Sequence, residues 1–238
     1  MRISTEELNL FPEGALFTGG SQTVSIRIYK ILRDKILTMQ LLPDTATSEQ
    51  EIASMLQVSR TPVREAFIRL SREKLLMVSP QRRTTVAKIS IEHVEQERFL
   101  RESLEQAVLE QFILNTSPAA LLQMENNLQK QREMLELQNP IKFLHYDDAF
   151  HEVFYQATGH MLCHQILKRS CFDYERLRHL SCMSHRNIQK ENLKQHEAIF
   201  QFIQERRLAD ALTALREHLR HLFDEIKEMR NENPDYFQ

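Results

Sequence analysis

Four side chains suited to metal binding recur on the apolar stripes of three helical segments. In residues 141–157 the stripe runs Leu144, Asp147, Phe150 with His151, then Phe154. Asp147 and His151 stand four apart, so they project together from one helix face. In 187–205 the stripe is Leu193, His196, Ile199 with Phe200, and Ile203; from 208 it is Ala211, Leu215, His218 and Leu222. One carboxylate and three imidazoles in an apolar interior are costly unless paired. A divalent cation would satisfy all four, and this oxygen and nitrogen set suits zinc, nickel, manganese or iron. The alternative is a set of core histidines hydrogen-bonded without an ion. His145, beside Asp148 and Glu152, and His221, beside Glu217, Asp224 and Glu225, fall on solvated faces and are set aside.

A second constellation lies near the amino end. Val63, Ala66, Phe67 and Leu70 make one apolar stripe, and Arg60 and Arg64 leave the same short helix away from it. Ser59 or Thr61 can cap this helix, with Pro62 in its first turn. Cations near the positive end of a helix dipole are unfavourable unless an anion arrives. Two arginines there suit the major groove, because guanidinium bonds guanine O6 and N7 together. Ser48 and Glu51 form a capping box that opens a preceding helix through Ile52, Ala53 and Leu56. Two short helices joined by residues 57–59 make a helix-turn-helix, or simply a packed surface pair.

Charge separates the two constellations. Residues 22–89 carry a net of +6, whereas the whole chain carries −2, so the remainder is acidic. A basic module joined to an acidic one fits a DNA reader carrying a non-DNA domain. With four glycines, three of them by residue 20, and 42% hydrophobic residues, the chain of 238 residues is expected to be mostly α. Val24–Leu37 has helical spacing. Beyond Ser90, a candidate N-cap, Pro118, Pro140 and Gly159 outline helices near 92–115, 118–137, 141–157, 161–184, 187–205 and 208–230, an all-α antiparallel bundle. Residues 1–21 read as an arm, and 231–238 as a loose polar tail. Cys163, Cys171 and Cys182 are odd in number and form no CxxC pair, which fits a cytoplasmic chain. No secretory leader or membrane span is readable.

The run Ser59-Arg60-Thr61-Pro62-Val63-Arg64-Glu65, with Ile52-Ala53 before it, resembles the winged helix-turn-helix of the GntR family of bacterial transcription regulators over about residues 24–88. Leu75 to Val78 and Thr85 to Ala87 then read as the strands of the wing, with Pro80-Gln81-Arg82-Arg83 as its turn. The resemblance implies operator contacts from Gln50, Arg60, Thr61 and Arg64, and from Arg82 and Arg83 at the wing tip. Three glycines usual in the family are missing: the Pro-Gly turn reads Pro43-Asp44, the residue after the recognition helix is Lys74, and the wing lacks its Arg-Gly.

Residues 92–228 in turn resemble the FCD ligand-binding domain of the FadR branch. The carrying residues are Arg101-Glu102-Ser103-Leu104-Glu105, Asp147 with Phe150-His151, His196-Glu197-Ala198-Ile199 and His218-Leu219. This resemblance implies that Asp147, His151, His196 and His218 hold a metal, that the metal helps bind a small carboxylate effector, and that Arg101 reaches towards it. For Arg101, a surface salt bridge with Glu97 or Glu105 is the competing reading.

The expected architecture is a winged helix-turn-helix over 22–89 and an effector-binding bundle over 90–230. The expected function is a homodimeric, ligand-responsive regulator, a repressor on a palindromic double-stranded DNA operator, with no membrane partner and no enzymatic activity. A regulator answering to metal alone, and a metal-dependent hydrolase, are the rivals.

Overall fold

The computed structural model describes residues 23–78, 83–184 and 186–238. Two compact units emerge: one runs to Ile91 and also takes in Asn233–Gln238, the other is Glu92–Glu232.

The amino-terminal unit orders its elements α1 (Val24–Leu37), β1 (Ala46–Thr47), α2 (Glu49–Met55), α3 (Arg60–Arg72), β2 (Leu76–Val78) and β3 (Thr84–Val86). Ile28, Leu32 and Ile36 of α1 and Val63, Ala66, Phe67 and Leu70 of α3 are buried, as the stripes require. The Ser48 hydroxyl accepts the Glu51 N–H at 3.1 Å, closing one half of the capping box. Ser59 occupies the N-cap position of α3, so Thr61 lies inside the helix. The wing pairs Leu76 with Val86 and Val78 with Thr84. The first strand starts one residue later than the sequence expectation and ends where expected, the second lies one residue earlier, and β1 adds a third strand beside β3 through Ala46 and Thr85. The arm 1–21, the wing-turn residues Pro80 and Gln81, and Arg82 lie outside the described residues.

The carboxy-terminal unit is all helix: α4 (Ile91–Leu114, entered from the first unit), α5 (Pro118–Glu136), α6 (Pro140–Ala157), α7 (Met161–Ser170), α8 (Phe172–Ser184), α9 (Arg186–Gln204), α10 (Leu208–Asp224) and α11 (Ile226–Glu232). Its core gathers Leu109, Phe112, Met124, Phe143, Phe150, Phe154, Ile199, Leu215 and Leu219. Two expected helices are each divided. The segment 161–184 breaks at Cys171, and the last helix breaks at Glu225. Neither break is marked by glycine or proline.

The tail also differs from expectation. Instead of lying loose, Ile89 N–H donates to Tyr236 O at 2.8 Å and Gln238 N–H to Ile89 O at 3.1 Å. This makes a parallel bridge between Ile89 and Phe237, and Phe237 is buried.

Only α6 among the described helices closes on a glycine, Gly159 at φ 76°; five others end on a residue with a side chain. Met39, Gln57, Lys74, Gln138 and Arg206 all take left-handed φ between 51° and 58°. Each is followed by a paired closure, such as Leu75 N–H to Leu70 O at 2.9 Å with Lys74 N–H to Ser71 O at 3.0 Å. That is the Schellman arrangement, in which the left-handed residue normally is glycine. Asp44, where the GntR pattern has glycine, is likewise at φ 63°.

Candidate metal centre and nucleic-acid interface

Helices α6, α9 and α10 deliver His151, His196 and His218 to one point in the core of the carboxy-terminal unit. One ligand nitrogen from each lies within 4.8 Å of the others, and all three residues are buried. The packing that sets them is aromatic: the Phe150 ring stacks on His196 with centroids 4.4 Å apart.

Hydrogen bonds decide the tautomers. Gln131 on α5 donates through Nε2 to Asn127 Oδ1 at 2.8 Å, so its Oε1, 2.8 Å from His196 Nδ1, must accept. Gln195 turns its amide N–H₂ towards Glu191 Oε1 at 3.5 Å, and its Oε1 lies 2.8 Å from His218 Nδ1. Both imidazoles therefore carry their proton on Nδ1. Their Nε2 lone pairs face each other at 3.2 Å. Burial first, then the neighbouring imidazoles, holds both pKa values well below the usual one, so no proton bridges the pair. Two ligands on one ion with metal–nitrogen bonds of about 2.0–2.1 Å would stand roughly 2.8–3.4 Å apart when cis. The observed separation falls inside that span. His151 completes the set: its Nδ1 lies 2.8 Å from Glu105 Oε2 as an ion-pair contact, and neither of its buried ring nitrogens has a hydrogen-bond partner among the described residues. An orphaned buried nitrogen and two opposed lone pairs fit a cation.

Asp147 stands at the margin of this triad. Its Oδ1 is 3.8 Å from His196 Nε2, but Arg178 Nη2 grips its Oδ2 at 2.5 Å. Arg178 also holds Asp148 at 2.7 Å and Glu175 at 2.9 Å. Burial alone would depress the Arg178 pKa; these carboxylates overcome it and hold it well above the ordinary value. Arg101 does pair with Glu105, at 2.6 Å, but the pair is buried, not on the surface, and the guanidinium lies over the Tyr174 ring. The other expected partner, Glu97, instead accepts the Tyr174 N–H at 2.7 Å. Burial would raise the Glu105 carboxyl, yet Arg101 and then His151 hold it well below the carboxylate range.

A cavity of about 30 Å³ adjoins the triad, with Arg101, Asp147, Arg178 and His218 on its wall. His221, assigned from sequence to a solvated face, is half-buried on the same wall and contacts Glu225 at 3.5 Å. His145 is exposed, as expected. Sequence reasoning missed Gln131, Gln195, Arg178 and Glu225. Gln131 alone left a signal, standing three residues after Leu128 on the buried stripe of α5.

In the amino-terminal unit Gln50, Arg60, Thr61, Arg64 and Arg83 are all exposed. Arg60 lies 3.3 Å from Glu49 Oε2, which brings the starts of α2 and α3 together. Arg64 shares a groove with Glu49, Arg72 and Thr84 of the wing. Such an exposed ion pair contributes little to stability, leaving the guanidinium available to phosphate or base.

Two family matches cover this architecture. Residues 25–86 match the bacterial regulatory proteins of the gntR family, and residues 98–221 match the FCD domain. The chain belongs to the GntR family. It is 33% identical over 217 residues to the HTH-type transcriptional repressor RspR of Escherichia coli K12, covering 91% of this chain and 95% of that one. It is 34% identical over 212 residues to an uncharacterized HTH-type regulator in an unstable DNA locus of Streptomyces ambofaciens, covering 88% of each. Among solved structures, McbR/YncC of E. coli shares the fold, with a TM-score of 0.69, 18% identity, and coverage of 89% of this chain and 99% of that one. This GntR-family chain is a DNA-binding transcription regulator and not an enzyme, which disposes of the hydrolase rival. No helix among the described residues is long and apolar enough to cross a membrane.

Proposed function

We propose that this regulator is a homodimeric repressor whose hold on a palindromic operator is set by a small carboxylate bound beside a divalent metal. The observation that carries the reading is the 3.2 Å approach of His196 Nε2 and His218 Nε2, both deprotonated by the bonds their Nδ1 atoms make. His151, His196 and His218 would hold the ion, with Asp147 Oδ1 as a fourth ligand. Four protein ligands leave positions in an octahedral shell. Arg101 and Arg178 on the adjoining wall favour an organic anion there, and so favour this reading over a response to metal alone. In the amino-terminal unit, Gln50, Arg60, Thr61, Arg64, Arg82 and Arg83 would meet the operator.

Elemental analysis of protein purified without chelator tests the metal: about one divalent ion per chain is expected, lost in His151→Ala and His218→Ala and kept in His145→Ala. Operator binding tests the rest. Arg60→Ala or Arg64→Ala should each cost about 1–3 kcal/mol on a specific site, and affinity should fall steeply with salt. Metal-free wild-type protein, with histidine variants indistinguishable from it, would overturn the sensor reading. If chelation alone switched operator binding and no carboxylate had any effect, the ion itself would be the signal.

A further inference from the structure

The cavity beside the metal centre has two chemically different ends. The basic groups gather near the histidines, where Arg178 grips Asp147 and Arg101 acts through Glu105 on His151. Along α10 the wall passes from His218 through His221 and Leu222 to Glu225, the residue at which that helix ends. Seven residues of helix rise about 10 Å, so Glu225 stands well away from His218. Its carboxylate is held in place: Ser181 Oγ donates to Oε2 at 2.9 Å, and His221 Nε2 lies 3.5 Å from Oε1. Asn192 adds an amide to the same cavity.

A carboxylate fixed at the distal end is a hydrogen-bond acceptor with a negative charge. It rewards a donor and penalises a second anion, because two like charges brought together in a partly buried site repel strongly. Resting on the reading of a carboxylate held at the metal, we propose that Glu225 is a specificity residue that reads a donor on the effector. The ligand is then a small monocarboxylate carrying a hydroxyl or an ammonium at its other end, and dicarboxylates of the same length are rejected; the cavity of about 30 Å³, room for roughly one or two waters, must widen to admit it.

The test uses the metal-loaded full chain and two matched series in isothermal titration. The first is butyrate, 4-hydroxybutyrate, 4-aminobutyrate and succinate; the second is the corresponding six-carbon set, hexanoate to adipate. A hydrogen bond to a charged acceptor is worth about ten- to a hundredfold, so in the series that fits, a donor-bearing member should bind at least about tenfold tighter than its methyl-ended and dicarboxylate partners. The better of hydroxyl and ammonium identifies the donor. Glu225→Gln should compress that ranking and admit the dicarboxylate, whereas Ser181→Ala, which keeps the charge, should preserve the order. A dicarboxylate binding as tightly as the donor-bearing acids in wild type overturns the proposal, even if the variant proves unstable. So does an unchanged ranking in folded Glu225→Gln. Binding of all members regardless of the distal group sinks this inference alone; binding of none sinks it together with the carboxylate reading.

Discussion

Ile89 and Phe237, separated in sequence by the whole carboxy-terminal unit, form a parallel bridge within the amino-terminal unit. The chain leaves that unit after Ile91 and returns to it at Asn233, so the outgoing and returning strands are tied to each other. Two backbone hydrogen bonds and one buried phenylalanine make the tie. Phe237→Ala should loosen it. Because the strand can peel away instead of leaving a rigid void, the loss is about 1–3 kcal/mol, below a typical core phenylalanine. Hydrogen exchange at the Ile89 amide reports it directly. Protection unchanged in the variant would show that Phe237 is not what holds the pair.

A second expectation concerns Lys74, which closes the recognition helix α3 at φ 57°. A side chain there meets the steric cost of the left-handed region, about 1–2 kcal/mol. Glycine escapes that cost but gives back some unfolded-state entropy, about 0.4–1 kcal/mol. Lys74→Gly should therefore raise the stability of the amino-terminal unit by roughly 0.5–1 kcal/mol. Thermal melting of the full chain measures it, and a lowered midpoint would count against the strain argument.

These two cases show where the sequence was legible and where it fell silent. The stripes that place His151, His196 and His218 in the core follow from helical period alone, and burial agrees at each. The glycine-free helix ends, by contrast, left no punctuation: Lys74 and Gln138 carry no mark of a left-handed backbone in their chemistry. The break at Cys171 was hidden for the same reason. Strand β1 has two residues, too few for any alternation to register. Arg178 and Glu225 belong to the site only because α8 and the end of α10 line the same cavity as α6, a fact of tertiary geometry that no single helix encodes. His221 was misplaced by its acidic neighbours: Glu217 and Asp224 are exposed as that pattern suggests, but Glu225 lines the cavity wall beside it.

Gln131 offers a sharper test of the metal centre than its ligands do, because it never touches the ion. Its Oε1 fixes the His196 proton on Nδ1 and so leaves Nε2 bare. Gln131→Leu removes that acceptor, strands a buried N–H and frees the ring to place its proton on Nε2. Metal affinity should fall about 10–100-fold, read by competition with a chromophoric chelator. Gln131→Glu, which retains an acceptor, should lose less. Equal affinity in the leucine variant would mean that the tautomer is set elsewhere.

The last expectation follows from pH. In chelator-stripped protein His196 and His218 are held neutral, by burial first and by the adjacent imidazoles next. In the unfolded chain each takes a proton near pH 6.5. Below that value the unfolded state binds more protons at these two positions than the folded one, so their contribution to stability is full above it and lost as pH falls. Each histidine supplies a slope of up to about 1.4 kcal/mol per pH unit. His164, depressed mainly by burial, has the same sign. Glu97 opposes them: burial lifts its carboxyl to about 7, so the folded state gains a proton as pH falls from there. Glu105 stays out of the window, since its carboxyl is held low and titrates only in acid. The net slope mixes these groups, and the difference made by removing one histidine isolates the site. Urea unfolding of stripped protein between pH 7.5 and 5 should show a shallower loss of stability in His218→Asn than in wild type, by up to about 1.4 kcal/mol per pH unit. Identical slopes in the two proteins would mean that burial does not hold these imidazoles neutral, and the opposed nitrogens at the centre of the site would then be a proton-sharing pair, not a seat for a cation.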